Sequence, residues 1–307
     1  MKRIAVACIL LAYLTPAWGG ALDLQTIPGS ANWMLHVDTQ AFWASKLGQS
    51  ILGDMDERDQ QKRSAAKELI GFDVIDDLHS FTLYGPSDDE KMAVTLARGK
   101  FDSKKLLAIV ALSPEHSISS YREWDVHRWL SAKDGKVYYG AFVTPTLIAI
   151  SQSNDKLRQA IDTVTTSSAQ GASFSMVMNA PPNAFVVAYA KDLDQLTADK
   201  ESAAILRNSK VLAFVAHEDA ARLNATVQLT ARSAAAAEQI QKIIEGLLAF
   251  SRLQEKDRPE VTPLLESLTL TREAADVKLQ FSHDSSALYD LLRQQAKAKA
   301  YETLESL

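Results

Sequence analysis

The chain is 307 residues long and has a single cysteine, Cys8, which lies inside the apolar run that opens the sequence. Without that run no thiol remains, which excludes a disulfide framework and thiolate-bound metal. Lipid attachment at Cys8 would need a longer apolar stretch before it than residues 1–7 supply. Glycine is scarce, with 12 residues. Neither a glycine-rich phosphate cradle with its Lys nor a Gly-x-Ser-x-Gly nucleophile elbow occurs, since Gly171-Ala172-Ser173 lacks the following glycine. Basic residues are outnumbered, 33 against 38 acidic, and form no dense stretch. This argues against nucleic acid and against anionic membrane surfaces. After the opening run no segment reaches 18 apolar residues, so no transmembrane segment is expected in the mature chain. The six histidines, His36, His79, His116, His127, His217 and His283, are scattered singly. That spacing predicts neither a metal site nor a cofactor. The acidic cluster Asp54, Asp56, Glu57 and Asp59 lacks the Gly and Glu of a calcium loop, because Asp59 and Ala65 stand where they would be needed.

What is present begins at the start. Lys2 and Arg3 precede the apolar run Ile4 to Leu14, Thr15-Pro16 breaks it, and small residues follow at Ala17, Gly19, Gly20 and Ala21. This is the pattern of a secretory signal peptide over residues 1–21, with cleavage after Gly19 or Ala21 by the small-x-small rule. The expected location is bacterial periplasm or exterior by a Sec-type route.

Periodicity gives the order of elements. Trp33 to Asp38 alternates as a strand, residues 40–71 are helical with an interruption at the charged stretch 54–63, and Phe81 to Tyr84 and Met92 to Arg98 are strands. Asp102 suits a helix N-cap, with Leu106, Leu107, Val110 and Ala111 on one face. Strands follow at 124–130, 136–142 and 146–151, the first two joined by the hairpin turn Asp134-Gly135, and a helix starts at Asn154. From Phe185 the order recurs: strand, helix 193–208, hairpin 211–231, helix 233–253, hairpin 267–282, and a last helix from Ser285. The fold class expected is α+β, with β-α-β-β-α-β-β-α repeated as two related modules. Each would be an antiparallel sheet with helices packed on one face, in a ferredoxin-like, split βαβ arrangement. The modules are residues 22–168 and 183–307, joined by a Ser-, Ala- and Gly-rich linker at about 169–182.

In the helix 233–253, Ile240, Ile243, Ile244, Leu247 and Leu248 form a stripe worth about 7–15 kcal/mol if fully buried. The stripe is expected to face a sheet, with Gly246 allowing close approach. In the terminal helix Leu288, Leu291 and Leu292 can dock, while residues 294–299 are polar or small, so its end is expected to fray or project. Too few heptads keep an apolar seam for a coiled coil.

One surface stands out. In Trp124 to Leu130, alternation puts Trp124, Val126, Arg128 and Leu130 on one face and Asp125, His127 and Trp129 on the other, with Tyr138 and Tyr139 on the adjacent strand. Aromatics beside His and Asp on a sheet make Trp129, His127, Asp125, Tyr138 and Tyr139 the candidate surface for a ligand or partner. The competing reading packs Trp129 into the core.

Trp33-Met34-Leu35-His36-Val37-Asp38, Gly99-Lys100-Phe101-Asp102 before a helix, and Asp134-Gly135-Lys136-Val137-Tyr138-Tyr139-Gly140 before Leu147-Ile148-Ala149-Ile150-Ser151 together resemble large families of uncharacterised exported bacterial proteins with repeated α+β modules. The resemblance implies fold and compartment, and no catalytic residues. The function expected is non-catalytic: an envelope protein that binds a protein partner or small ligand, with a mature chain free of cysteine. The alternative class is a hydrolase of envelope polymers, with two carboxylates brought about 5–9.5 Å apart by the fold. A third reading, self-association through 285–307, requires an oligomer that disappears when this helix is removed.

Overall fold

Alternation decides which residues meet the core. In Trp33–Asp38 the even-numbered Met34, His36 and Asp38 are buried and the odd-numbered residues half-buried, the pattern of a strand covered on both faces. A computed structural model of the chain describes residues 20–166, 174, 176–193, 202–253 and 262–305, the side chains of 202–204 and 296–305 excepted. Residues 1–19 of the expected signal peptide 1–21, residues 169–173 and 175 of the expected linker, and residues 194–201 of the expected helix 193–208 lie outside the described residues.

The first half runs β1 (Trp33–Asp38), α1 (Thr39–Ala44), α2 (Lys46–Gly53), α3 (Glu57–Ile70), β2 (Leu78–Gly85) and β3 (Val94–Gly99). It continues through α4 (Ser103–Ala111), β4 (Ser117–Tyr121), β5 (Trp124–Leu130), β6 (Val137–Thr144), β7 (Leu147–Ser151) and α5 (Asn154–Thr166). The second half runs β8 (Ala184–Lys191), α6 (Ser202–Arg207), β9 (Ser209–Asp219), β10 (Arg222–Ala231) and α7 (Ala234–Leu253). It ends with α8 (Thr262–Glu266), β11 (Leu268–Glu273), β12 (Asp276–Asp284) and α9 (Ser285–Glu305).

Helix starts follow their side chains. Asp102 caps α4 through the Lys105 N–H, as its position predicts, and Ser45 caps α2 through that of Gly48. The charged stretch 54–63 is not an interruption. The break is confined to residues 54–56, and Asp56 caps α3, whose first turn holds Glu57 and Asp59. Gly71 ends α3 at φ 79°, a left-handed cap that favours glycine. Strand β4 has no apolar alternation, with four of its five residues exposed, and the sequence gives no sign of it.

The described strands form one sheet of 12, in the order β11-β12-β10-β9-β8-β1-β2-β3-β7-β6-β5-β4, within a mixed α+β fold. Every neighbouring pair is antiparallel. In a split βαβ unit the two strands joined by the helix run parallel with another strand inserted between them, whereas here β1 and β2, joined through α1–α3, are direct antiparallel neighbours. Nor do the helices keep to one face. In β7, Leu147, Ala149 and Ser151 are buried on the side that packs with Leu157 and Ile161 of α5, whereas Ile148 and Ile150 point to the other side, beneath α4. Register alone cannot reveal this, because a strand covered on both faces reads the same whichever helix covers each.

Two clusters form the core. The larger includes Met34, Tyr84, Leu96, Ala149, Leu157 and Ile161. Phe174 and Val177 of the expected linker lie in it, at 0% and 2% exposed, while Met178 beside them is 67% exposed. The smaller gathers Leu229, Ala237, Ile240 and Val277 under the start of α7. Farther along α7 the stripe comes free. Ile243 is 37% exposed, Leu247 56% and Phe250 59%, and a Cβ on Gly246 would meet nothing within 4 Å. The helix thus does not approach the sheet at Gly246.

Contacts between halves are polar at the surface. The Glu218 carboxylate accepts the N–H groups of Lys46 and Leu47, at 2.5 and 3.2 Å, and the Ser285 hydroxyl at 2.5 Å. Helix α9 docks by its first turns, with Leu288 buried and Tyr289 and Arg293 bound to Asp54 of the α2–α3 break. No described helix is long and apolar enough to cross a membrane.

Candidate functional site

Helix α4 covers the sheet near β5, β6 and β7. Its sequence, Ser-Lys-Lys-Leu-Leu-Ala-Ile-Val-Ala, is mostly apolar, yet none of its residues is fully buried. Between it and the sheet lies a cavity of about 150 Å³. The roof is Leu106, Leu107, Ile109 and Val110; the floor is Gly140 and Phe142 of β6 and Ile148 and Ile150 of β7. Trp129 and His127 of β5 close one side. No Asp, Glu, Lys or Arg lines it. On the outer side of α4 a groove against α3 is lined by Leu69 and Leu112, 71% and 80% exposed, and shares Ile109 with the cavity.

The aromatic side is built by strand register. Trp129 pairs with Tyr138 across β5 and β6, and their rings stack at 5.9 Å with 22° between planes. The indole extends over Gly140, where a Cβ would fall 3.0 Å from two of its ring carbons. Glycine here is what lets the ring lie along β6. His127, 8% exposed, sits directly opposite Gly140. Its Nδ1 lies 3.1 Å from Nε2 of His116, and the two rings stack with 10° between planes. Burial, then the neighbouring His116, holds the His127 pKa below its ordinary value despite Asp125, so the ring favours its neutral form. One nitrogen of the pair must then donate and the other accept.

Of the five residues singled out from the sequence, Trp129, His127 and Tyr138 are thus brought together, and exposed Asp125 shares their face. Tyr138 turns its hydroxyl away, to Asp134 at 2.8 Å. Tyr139 is a correction: period two sends it to the opposite face, where it packs on the main core. Trp129 is half-buried and lines a void, so it is neither an open surface aromatic nor a filled-in core residue. Sequence reasoning missed His116, which lies past the end of α4 outside any periodic pattern. It also missed the roles of Ile148 and Ile150. The stripe Leu106, Leu107 and Val110 was the available signal for the roof.

Among the described residues no three His, Cys, Asp or Glu side chains gather closely enough to hold a metal ion. No protein-family model and no curated protein sequence matches the chain. Solved structures do. That titled "Structure of crystal form I of TP0453" aligns at 10% identity with a TM-score of 0.49, over 89% of this chain and 97% of that one. That titled "Structure of crystal form III of TP0453" aligns at 10% identity and a TM-score of 0.46, over 89% and 98%.

Proposed function

We propose that this is a non-catalytic exported protein of the bacterial envelope, periplasmic or secreted, that binds a small apolar ligand, or the apolar end of a larger one, between α4 and the sheet. The observation that carries the reading is the 150 Å³ cavity with its apolar lining. Apolar walls that face a gap forfeit dispersion contacts, which an occupant restores. Apolar cavities of about this volume stay dry and take a benzene-sized guest. A ring or a short alkyl end fits; a charged group would lose its hydration with no ion to replace it. His127 supplies one polar atom at the wall. Helix α4, without a fully buried residue, is the wall that can yield to admit the guest.

Benzene is the probe. Thermal unfolding of the mature protein should shift upward as benzene concentration rises, by mass action on the folded state. Val110→Phe, which fills the void, should abolish that shift. A midpoint that does not move with benzene refutes the reading.

We infer also that the chain is two copies of one α+β unit, residues 22–168 and 183–307. Strand order supports this: outward from the central β1·β8 pair it reads β1-β2-β3-β7-β6 on one side and β8-β9-β10-β12-β11 on the other. Helices α4 and α7, which follow corresponding strands, cover the same face: the row Ile150, Thr95, Leu83, Leu35 and Ala188 continues through Phe214 and Val227, whose side of β10 also carries Leu229 under α7. This agrees with the resemblance to exported proteins built from repeated modules.

A further inference from the structure

We propose that Asp38 is a preformed acceptor for the N-terminus created by export: cleavage between Gly19 and Gly20 frees an α-ammonium on Gly20 that pairs with the Asp38 carboxylate and fastens the mature fold. The proposal rests on the export reading. Gly20 is buried. A Cβ there would lie 2.5 Å from Oδ1 of Asp38 and would collide with the His79 carbonyl oxygen. Only glycine can occupy the notch. Standard backbone geometry puts the Gly20 nitrogen about 2.5 Å from that same Cβ position, so it lies within about 5 Å of Oδ1. At this range an opposite charge acts strongly on a buried carboxylate.

Asp38 is 5% exposed and caps α1 through the Ala41 N–H at 2.8 Å. Among the described residues it has no Lys or Arg partner. Burial drives its carboxyl up, and the Ala41 and Gln40 N–H groups and His79 only offset this. The groups around it are His79 beside it, His36 on its own strand, and Arg98, which lies beyond Ser80 in the same cross-strand row and makes no ion pair with it. A buried carboxylate without a cation is costly, and an arriving ammonium removes that cost.

The sequence places the cut to suit. Ala17-Trp18-Gly19 meets the small-x-small rule, and hydrolysis there gives a carboxylate to Gly19 and an amine to Gly20, the elements of one water being shared between them. The amine takes up a proton at neutral pH. One amide N–H thereby becomes an ammonium with three donors, within about 5 Å of the Asp38 carboxylate. Cleavage after Ala21 would instead discard Gly20 and leave the notch empty.

The full chain is exported from a bacterial host and its N-terminus sequenced. Gly20 is the expected first residue. Leu22 or any other new terminus overturns the proposal while leaving export intact; an uncut chain overturns the export reading itself. Thermal midpoints are then compared for the chain beginning at Gly20 and for one extended by Ala-Ala. The extension should lower the midpoint by roughly 3–6 °C, and Asp38→Asn, which still caps α1, should erase the difference. A difference that persists in Asp38→Asn overturns the pairing. Should Asp38→Asn not fold, labelling decides. At pH 7 the native α-amine should react at least 10-fold more slowly with an amine-specific reagent than in the urea-unfolded chain; equal rates overturn the proposal.

Discussion

Removing the Glu218 carboxylate should cost the fold about 2–4 kcal/mol. Lys46 and Leu47 are the first two residues of α2, where N–H groups have no partner within the helix and the helix dipole is positive. The carboxylate satisfies both and also holds the Ser285 hydroxyl at the start of α9. Each hydrogen bond to a charged group contributes about 1.5–3 kcal/mol. Glu218 is half-buried, so water recovers part of the three when it is removed. Glu218→Gln keeps one acceptor oxygen but turns an NH₂ toward a donor, and should lose about half as much as Glu218→Ala. Urea unfolding followed by circular dichroism gives the midpoint, with an unchanged slope showing that only stability has moved. A double-mutant cycle with Ser285→Ala should return a coupling of about 0.5–1.5 kcal/mol. If Glu218→Ala unfolds within 0.5 kcal/mol of the parent, the carboxylate does not join the halves.

Burial holds His36 down to about 4, with Arg98 also lowering it and Gly20 opposing, so the ring is neutral at pH 7. Because the unfolded value is near 6.5, stability is intact above that pH and falls as pH drops toward 4, by about 3 kcal/mol in all; urea midpoints across this range should show the slope, and His36→Gln should flatten it. Asp73 lies against Arg63 at 2.6 Å. Burial pushes its carboxyl up, but Arg63 and the N–H groups of Asp76 and Ile75 outweigh that and hold it below the usual range. This stability is present above about pH 4 and is lost as pH falls through the depressed value. Arg63→Met should therefore cost about 2 kcal/mol at pH 7, and the gap to the parent should narrow in acid unfolding below pH 3. Gly246→Ala should stabilise by about 0.5–1 kcal/mol in the same denaturation assay, since the added methyl meets open space on an exposed helix.

The sequence reveals what is local. Trp33–Asp38 alternates because one residue in two meets the main core, and Asp102 marks a helix start because its carboxyl is the cap. It conceals what depends on partners. β4 has little apolar surface to alternate because it is an edge strand with only β5 beside it. The stripe of α7 is as apolar at Leu247 as at Ile240, yet Ile240 finds a sheet beneath it and Leu247 does not. For the site, alternation puts His127 and Trp129 on one face, and the structure keeps them together. It could not show that α4 leaves a void above them, because cavities arise from the mismatch of two surfaces far apart in the chain. Tyr138 and Tyr139 look equivalent in sequence, and the pleat separates them.

The seam between β1 and β8 has a kinetic consequence. Trp33 pairs with Ala190, and the whole intervening chain must be made before that ladder can close. Pairing so distant in sequence makes folding slow, because closure entropy is lost before contacts repay it. During synthesis β1 can pair with β2 on one side while its other edge stays open, with unpaired N–H and C=O groups beside apolar side chains. A completed first half is therefore an adhesive intermediate, and a chain truncated before Ala184 would keep that edge permanently.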